Sequence, residues 1–354
     1  MKNSQCIAEY SRSKRRIAPR ATLETPSPDN APAAAPDLRM TASRAWRLVP
    51  LAASLLLSGC AGSGQSFMTP DGPVSISQYY HLWFVTLVTL IVVLPVIIGV
   101  PLLAWRYRYG NKKARYAPNW DFSSALEWPM WLIPCAIVVV LSVYLWHDSH
   151  RLDPYRPIAS ARPPLIVQVV GLDWKFLFIY PQYHVATVGE LAFPQDRPVS
   201  MTLTSDTVMQ SFMIPALGGQ IYIMPGMMTR LNLKADRTGS FDGMNTQYNG
   251  NGFHGQHFEA VAMTTRHFDS WLRSVQENGI ALNRMSYRVL GKSSTEDQVH
   301  ATLGNEAMPA GVTFFNNVAP DFFMGIVMRY HRGKPVPPSE QPGAVAYNRQ
   351  VASK

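Results

Sequence analysis

Two long apolar stretches, Leu82 to Ala104 and Trp128 to Trp146, constrain this chain more than anything else in it. The first runs 23 residues without a charged side chain. A helix rising about 1.5 Å per residue crosses a hydrocarbon core of roughly 30 Å in about 20 residues, so each stretch has the length and composition of a membrane span. Lipid offers no hydrogen bonds to the backbone, which makes a helix the expected form. Pro95 and Pro101 interrupt the first span and predict a kink. Trp83, Trp105, Trp128 and Trp146 stand at the four ends, where indole rings favour the lipid–water interface.

The segment joining the spans carries Arg106, Arg108, Lys112, Lys113 and Arg115, with no acidic residue before Asp121. Basic loops stay on the cytoplasmic side, so 82–147 reads as a transmembrane hairpin with a cytoplasmic loop at 106–126 and both ends outside. The net charge of +9 is concentrated in this loop and in the first 50 residues. It therefore reports targeting and topology rather than a nucleic-acid-binding face.

Residues 1–39 are rich in Pro, Ala, Ser and Arg without apolar periodicity and are expected to lack fixed structure, with Met40 a candidate start. From there a basic region (Arg44, Arg47), an apolar core (Leu48 to Leu57) and Leu57-Ser58-Gly59-Cys60 follow. This pattern resembles a bacterial lipoprotein signal, so 1–59 is read as leader and signal peptide, Cys60 as the lipid attachment site, and 60–81 as an outer N-terminal segment. A thiolate is the nucleophile that such acylation needs. The other cysteines, Cys6 and Cys135, offer no disulfide framework and no CxxC metal knuckle.

After a Pro-rich linker at 148–164 the pattern changes to short strands: Leu165 to Gly171, Asp173 to Tyr180, Val199 to Ser205, Thr229 to Ala235 and Phe258 to Thr264. Met201, Leu203, Leu231 and Leu233 alternate with polar neighbours, as in half-buried sheets. These strands predict a β-sandwich or barrel over 165–265. An amphipathic helix is expected at His267 to Asn278 and another helix at Asp321 to Tyr330, giving a helical extension over 266–332. The polar stretch 333–354 is expected to be disordered. The fold class is thus an α+β membrane protein: a two-helix hairpin, an all-β sandwich and short C-terminal helices.

Several local motifs fit this layout to a known family. Tyr116-Ala-Pro-Asn-Trp120 and Glu127-Trp-Pro-Met-Trp131-Leu-Ile-Pro134, the aromatic strand Gly171-Leu-Asp-Trp174-Lys-Phe-Leu-Phe-Ile-Tyr180, and Val208-Met-Gln-Ser-Phe-Met-Ile-Pro-Ala-Leu-Gly218 resemble subunit II of haem–copper oxidases. The resemblance spans roughly 48–332 and implies a cupredoxin fold for the sandwich. In the branch that oxidises cytochrome c, the family pattern C-x-E-x-C-G-x-x-H-x-x-M, with a further upstream His, holds a binuclear copper centre. Thiolate, imidazole and thioether ligands suit copper. Here the matching positions are Gln210, Asn245, Asn249, Phe253 and Gln256, and no Cys follows Cys135. The nearby His254 and His257 lack thiolate or carboxylate support and are read as solvated side chains. The aromatic residues around Trp174 are read as core packing.

A retained fold with a replaced copper site points to the quinol oxidase branch. Tyr248-Asn-Gly-Asn-Gly252-Phe253 and Asn317-Val-Ala-Pro-Asp321-Phe-Phe are similar to the corresponding loop and C-terminal extension of cytochrome bo type enzymes. The resemblance implies a subunit without its own cofactor, partnered by subunit I, which carries haems and a copper ion, by further subunits and by membrane lipid. Ubiquinol would be reached through the complex; no nucleic acid is expected. Two other readings stand beside it: a cytochrome c oxidase subunit II, and a lipoprotein whose sandwich binds a ligand or scaffolds an assembly. Glu127 lies at the inner end of the second span, where an ionisable group is costly enough to raise a functional question. A solvated interfacial carboxylate is the plain reading, while the resemblance implies the mouth of a proton channel into subunit I.

Overall fold

The computed structural model describes residues 67–352 apart from 116 and 118. The leader, Met40 and Cys60 lie outside the described residues. Two long helices come first: α1, Pro73–Arg106 (34 residues), and α2, Ser124–Arg151 (28 residues). Both are long and apolar enough to cross a membrane. Their middle turns turn Ile97, Val100, Val138 and Val139 outward, more than half exposed on the isolated chain, as expected for surfaces that meet lipid or neighbouring spans. Both helices overrun the spans read from hydropathy. Polar turns beyond the apolar stretch continue the helix until Leu152, inside the expected linker, closes α2 with its N–H on the Asp148 carbonyl at 2.8 Å.

Twelve strands follow. One sheet has the order β11-β12-β3-β2-β1-β5-β8, from β1 (Leu165–Leu172), β2 (Lys175–Tyr180), β3 (Val185–Val188), β5 (Val199–Ser205), β8 (Thr229–Leu233), β11 (Ile280–Ala281) and β12 (Thr313–Asn316). The other has the order β4-β10-β9-β6-β7, from β4 (Glu190–Pro194), β6 (Gln210–Met213), β7 (Gln220–Ile223), β9 (Gly239–Met244) and β10 (His257–Met263). β1 pairs antiparallel with β2 and parallel with β5, Val167 opposite Met201. Between the sheets Phe176, Phe178, Phe212 and Phe258 interlock. Phe212 stacks on Phe258 with centroids 5.0 Å apart, and Phe176 meets Phe212 edge-on at 5.5 Å. Such pairs add about 0.5–1.5 kcal/mol each beyond the area they bury.

The alternate residues of β1 and β2, among them Val170, Leu172, Leu177 and Ile179, face away from the Phe cluster into a second core. Its other wall comes from α4 (Arg284–Leu290), α5 (Glu296–Leu303) and α6 (Phe322–Arg329), through Tyr287, Leu290, Val299, Phe323 and Val327. The preceding α3 (Thr265–Asn278) packs Phe268, Leu272 and Val275 onto the inter-sheet core. Burial on both faces explains why β2 reads Lys-Phe-Leu-Phe-Ile-Tyr, without polar alternation.

Two expectations are corrected. The extension is not purely helical, because β11 and β12 complete the larger sheet, with Phe314 opposite Thr187 of β3. The stretch from 333 is not a disordered tail: it ends in α7 (Val345–Ala352), whose Tyr347 is 5% exposed and donates its hydroxyl to the Arg288 carbonyl at 2.9 Å. Asn348 adds side-chain bonds to Ser293, and the Gly343 N–H reaches the Gly291 carbonyl at 3.1 Å.

The hairpin is seated on the sandwich at the start of α1 and the end of α2. Ahead of α1, Asp71 donates its N–H to the Ala216 carbonyl (2.8 Å) and accepts from Arg237 at 2.5 and 2.7 Å, while its carbonyl accepts from Asp236 (2.9 Å). A Cβ at Gly72 would fall 2.3 Å from the Lys234 carbonyl oxygen, so this approach needs glycine. After α2, the Pro154 carbonyl accepts from both the backbone N–H and the Nδ2 of Asn232, at 3.1 and 3.0 Å. Between the helices His81 Nδ1 lies 3.0 Å from Asp148 Oδ2, and the His81 ring stacks on Tyr144.

Candidate functional site

One end of the sandwich gathers the start of β6, the β1–β2 turn and the loop from β9 to β10. This brings together four of the five positions singled out in the sequence. Gln256 is central and fully buried. Its Nε2 donates to Gln210 Oε1 at 2.7 Å, and its Oε1 accepts from Asn245 Nδ2 at 2.9 Å and Asn249 Nδ2 at 2.7 Å. Gln210, also fully buried, passes the chain on by donating Nε2 to the Leu172 carbonyl (3.1 Å) and to Thr207 Oγ1 (2.9 Å). Asn245 Oδ1 accepts from the Ser211 and Gln247 N–H groups, each at 2.9 Å. A carboxamide carries both donors and acceptors, so a ring of them can satisfy itself where a lone polar group would cost about 1–3 kcal/mol.

Phe253, the fifth position, stands apart. It starts a 3-10 turn, Phe253–Gly255, and meets Tyr248 edge-on with centroids 5.8 Å apart. His254 and His257 are both exposed. His257 shares the outer face of β10 with Glu259, which accepts a hydrogen bond from Ser240. Among the described residues no three His, Cys, Asp or Glu side chains are grouped as a metal site would require.

Trp174 differs from its reading as strand core. Leu172 pairs with Lys175, which leaves Asp173 and Trp174 as a two-residue hairpin turn, and Trp174 takes φ = 68°, a strained value for a bulky residue. Its ring lies over the β9–β10 loop: a Cβ on Gly252 would come within 2.1 Å of it. The two glycines of the Asn-Gly-Asn-Gly run were the sequence signal that a large side chain closes on this loop.

Two buried charged groups went unnoticed in the sequence. Asp206, at the end of β5 and fully buried, accepts from the Tyr287 hydroxyl at 2.5 Å, from Arg329 Nη1 at 2.9 Å and from the Tyr330 hydroxyl at 2.8 Å. Burial pushes its carboxyl upward, while Arg329 and the two phenols pull it back. Lys175, also fully buried, donates Nζ to the carbonyls of Asp173, Lys292 and Ser294, each at 2.9 Å. Desolvation brings its ammonium down to about 7, against the attraction of Asp173 and Glu296. Glu296 nearby is pushed up to about 8 by burial, with Lys175 opposing. Both groups tie the sandwich to the C-terminal extension.

Glu127 lies in the first turn of α2, half-buried. It is not a member of the carboxamide cluster, whose residues come from β6 and the segment 245–256.

An apolar two-helix hairpin carrying a two-sheet sandwich defines subunit II of the haem–copper oxidases as the class, and the family described as "Cytochrome C oxidase subunit II, periplasmic domain" matches residues 182–255. That family includes copper-bearing members, and the donors found here do not fit such a centre. Neutral carboxamides replace thiolates and imidazoles, and three hydrogen bonds join them to one another through Gln256, while Asn249 Oδ1 is buried without a partner. Cytochrome bo(3) ubiquinol oxidase subunit 2 of Pseudomonas putida is 40% identical over 295 residues, covering 82% of this chain and 89% of that protein. The protein of the same name from Pseudomonas aeruginosa is 42% identical, covering 82% and 83%. Ubiquinol oxidase subunit 2 of Acetobacter aceti is 37% identical, covering 82% and 90%. The chain belongs to the ubiquinol oxidase subunit 2 family.

Proposed function

We propose that this chain serves as subunit II of a bacterial ubiquinol oxidase and carries no redox centre of its own. The observation that carries this reading is the carboxamide cluster of Gln210, Asn245, Asn249 and Gln256, which occupies the positions where the resemblance implies copper ligands. Haems and a copper ion then belong to subunit I. Ubiquinol is oxidised in the membrane and oxygen reduced to water while protons are translocated, and no electron passes through this chain. The chain acts by shaping and stabilising the complex.

In this reading the hairpin spans the bacterial inner membrane with loop 106–126 in the cytoplasm, the sandwich in the periplasm and a lipid on Cys60. Glu127 then stands on the cytoplasmic side, where a half-buried carboxylate can collect protons for subunit I. The purified complex should consume oxygen with ubiquinol and not with reduced cytochrome c, and should contain no copper beyond that of subunit I. Uptake driven by cytochrome c, with additional copper, would overturn the proposal. Glu127→Gln is expected to leave haem content intact and slow quinol oxidation, with Glu127→Asp milder; unchanged uptake from pH 6 to 9 returns Glu127 to an ordinary interfacial role.

A further inference from the structure

We propose that the crevice between the outer end of the hairpin and the sandwich holds the headgroup of an anionic phospholipid, with Arg151 and Arg156 binding its phosphate. Two adjoining cavities of about 400 and 800 Å³ share Arg151, Arg156, Pro157 and Ile158 as walls. The smaller reaches under the start of α1; the larger opens beside Trp146 and His150.

Depth is the first argument. Arg151 is the last residue of α2, five residues beyond Trp146, so it stands about 7.5 Å above the indole along the helix. The headgroup layer on each side of a bilayer is about 5–8 Å thick, and interfacial indoles sit within it. The guanidinium, on a long flexible stem just beyond that level, can reach back to the lipid phosphates.

Charge is the second. Among the described residues neither arginine is paired with a carboxylate, although exposed arginines commonly are. No carboxylate lines the larger cavity. Asp153 lines the smaller one, but its Oδ1 already accepts the Tyr155 N–H at 2.9 Å. The walls also carry apolar groups, Trp146, Pro157 and Ile158, which suit the first carbons of acyl chains.

Preorganisation is the third. Arg156 is held by a turn, its N–H on the Asp153 carbonyl at 2.9 Å, and that turn is fixed to β8 through Pro154 and Asn232. A planar guanidinium presents paired donors that match a phosphodiester, and fixing its backbone lowers the ordering cost of binding.

The assignment to the outer leaflet rests on the topology proposed above, and the test separates the two. The full chain would be reconstituted in vesicles of phosphatidylcholine and phosphatidylglycerol, extracted in mild detergent, and its retained lipid counted by mass spectrometry. Preferential retention of phosphatidylglycerol is expected, lowered about fivefold by Arg151→Gln or Arg156→Gln and about 25-fold by both, while Arg108→Gln in the opposite loop leaves it unchanged. Both arginines are exposed, so these variants keep the fold. Equal retention by wild type and double variant would overturn the site, as would displacement of the lipid by inorganic phosphate, which would make it a free-anion site. Labelling of a cysteine placed at Ala159 by a membrane-impermeant reagent, in a background with Cys6, Cys60 and Cys135 replaced by Ser, reads orientation independently. Lipid retention without external labelling would reject the topology and not the site; labelling without retention would reject the site and not the topology.

Discussion

At two of the places where the sandwich buries polar side chains, it does so by opposite means. At the carboxamide cluster Gln210 and Gln256 are fully buried and neutral, and each partner lies within the sandwich itself. At Asp206 a carboxylate is buried as deeply, and its partners Tyr287, Arg329 and Tyr330 all come from the C-terminal extension. Neutral groups cost little to desolvate and can close a ring locally. A charge must be met by a counter-charge, so it fixes a distant element or fails to fold. The cluster therefore shapes a loop, whereas Asp206 fastens one part of the chain to another.

Removing the charge should have the larger effect. Asp206→Ala leaves Arg329 beside two phenols with no counter-ion, a change expected to cost about 3–5 kcal/mol and to release α6 to limited proteolysis. A loss no greater than that of an exposed ion pair would break the contrast. Gln256→Ala strands donors of Asn245 and Asn249 and an acceptor of Gln210, for an expected loss of about 2–3 kcal/mol read by denaturant unfolding. Hydrogen exchange should then rise in residues 245–256 and stay unchanged in α6; exchange spreading to the extension would show that the cluster is not local.

The smallest effect sharpens the comparison at a third place, Lys175 and Glu296. Glu296, raised from an ordinary 4.5 to about 8, holds its proton in the folded chain over a range where the unfolded chain has lost it. Its contribution is fully present below about 4.5 and is lost as pH rises to about 8. Lys175, lowered from 10.5 to about 7, has the opposite slope, its contribution growing as pH rises between those values. The urea midpoint should thus fall from pH 5 to 7, and Glu296→Gln should flatten that fall. An unchanged slope in the variant would assign the dependence elsewhere.

These contrasts also mark what the sequence could reveal. The hairpin was legible because its information is local: a span is an apolar run of sufficient length, and Arg106 to Arg115 lie together. The carboxamide positions were legible because a ligand pattern keeps its spacing when its residues change. That Gln256 would bridge the others was not, since Gln210 lies 46 residues away and amide geometry has no local signature. Asp206 and Arg329 are 123 residues apart, and each alone looks like a surface charge. β11, with two residues, is too short to carry an alternation, and α7 owes its place to one buried ring, Tyr347, and to the bonds of Asn348 with Ser293. Trp174 misled because a large apolar residue between two strands reads as strand, while its positive φ follows from the pairing of Leu172 with Lys175.

The two seats of the hairpin carry a consequence for the order of events during synthesis. Asp71 and Pro154 precede the sandwich in the chain, yet they bond to Ala216, Arg237 and Asn232, which the ribosome delivers later. While those residues are still unmade, both apolar helices are complete and have nothing to rest on, so insertion comes first and seating second. On the topology proposed above, the sandwich then closes onto chain ends already held in the bilayer. A delay in that closure would leave a hairpin correctly inserted but unmoored, with Asp71 and the Pro154 carbonyl facing water, and such a half-built subunit would be the species that quality-control proteases meet.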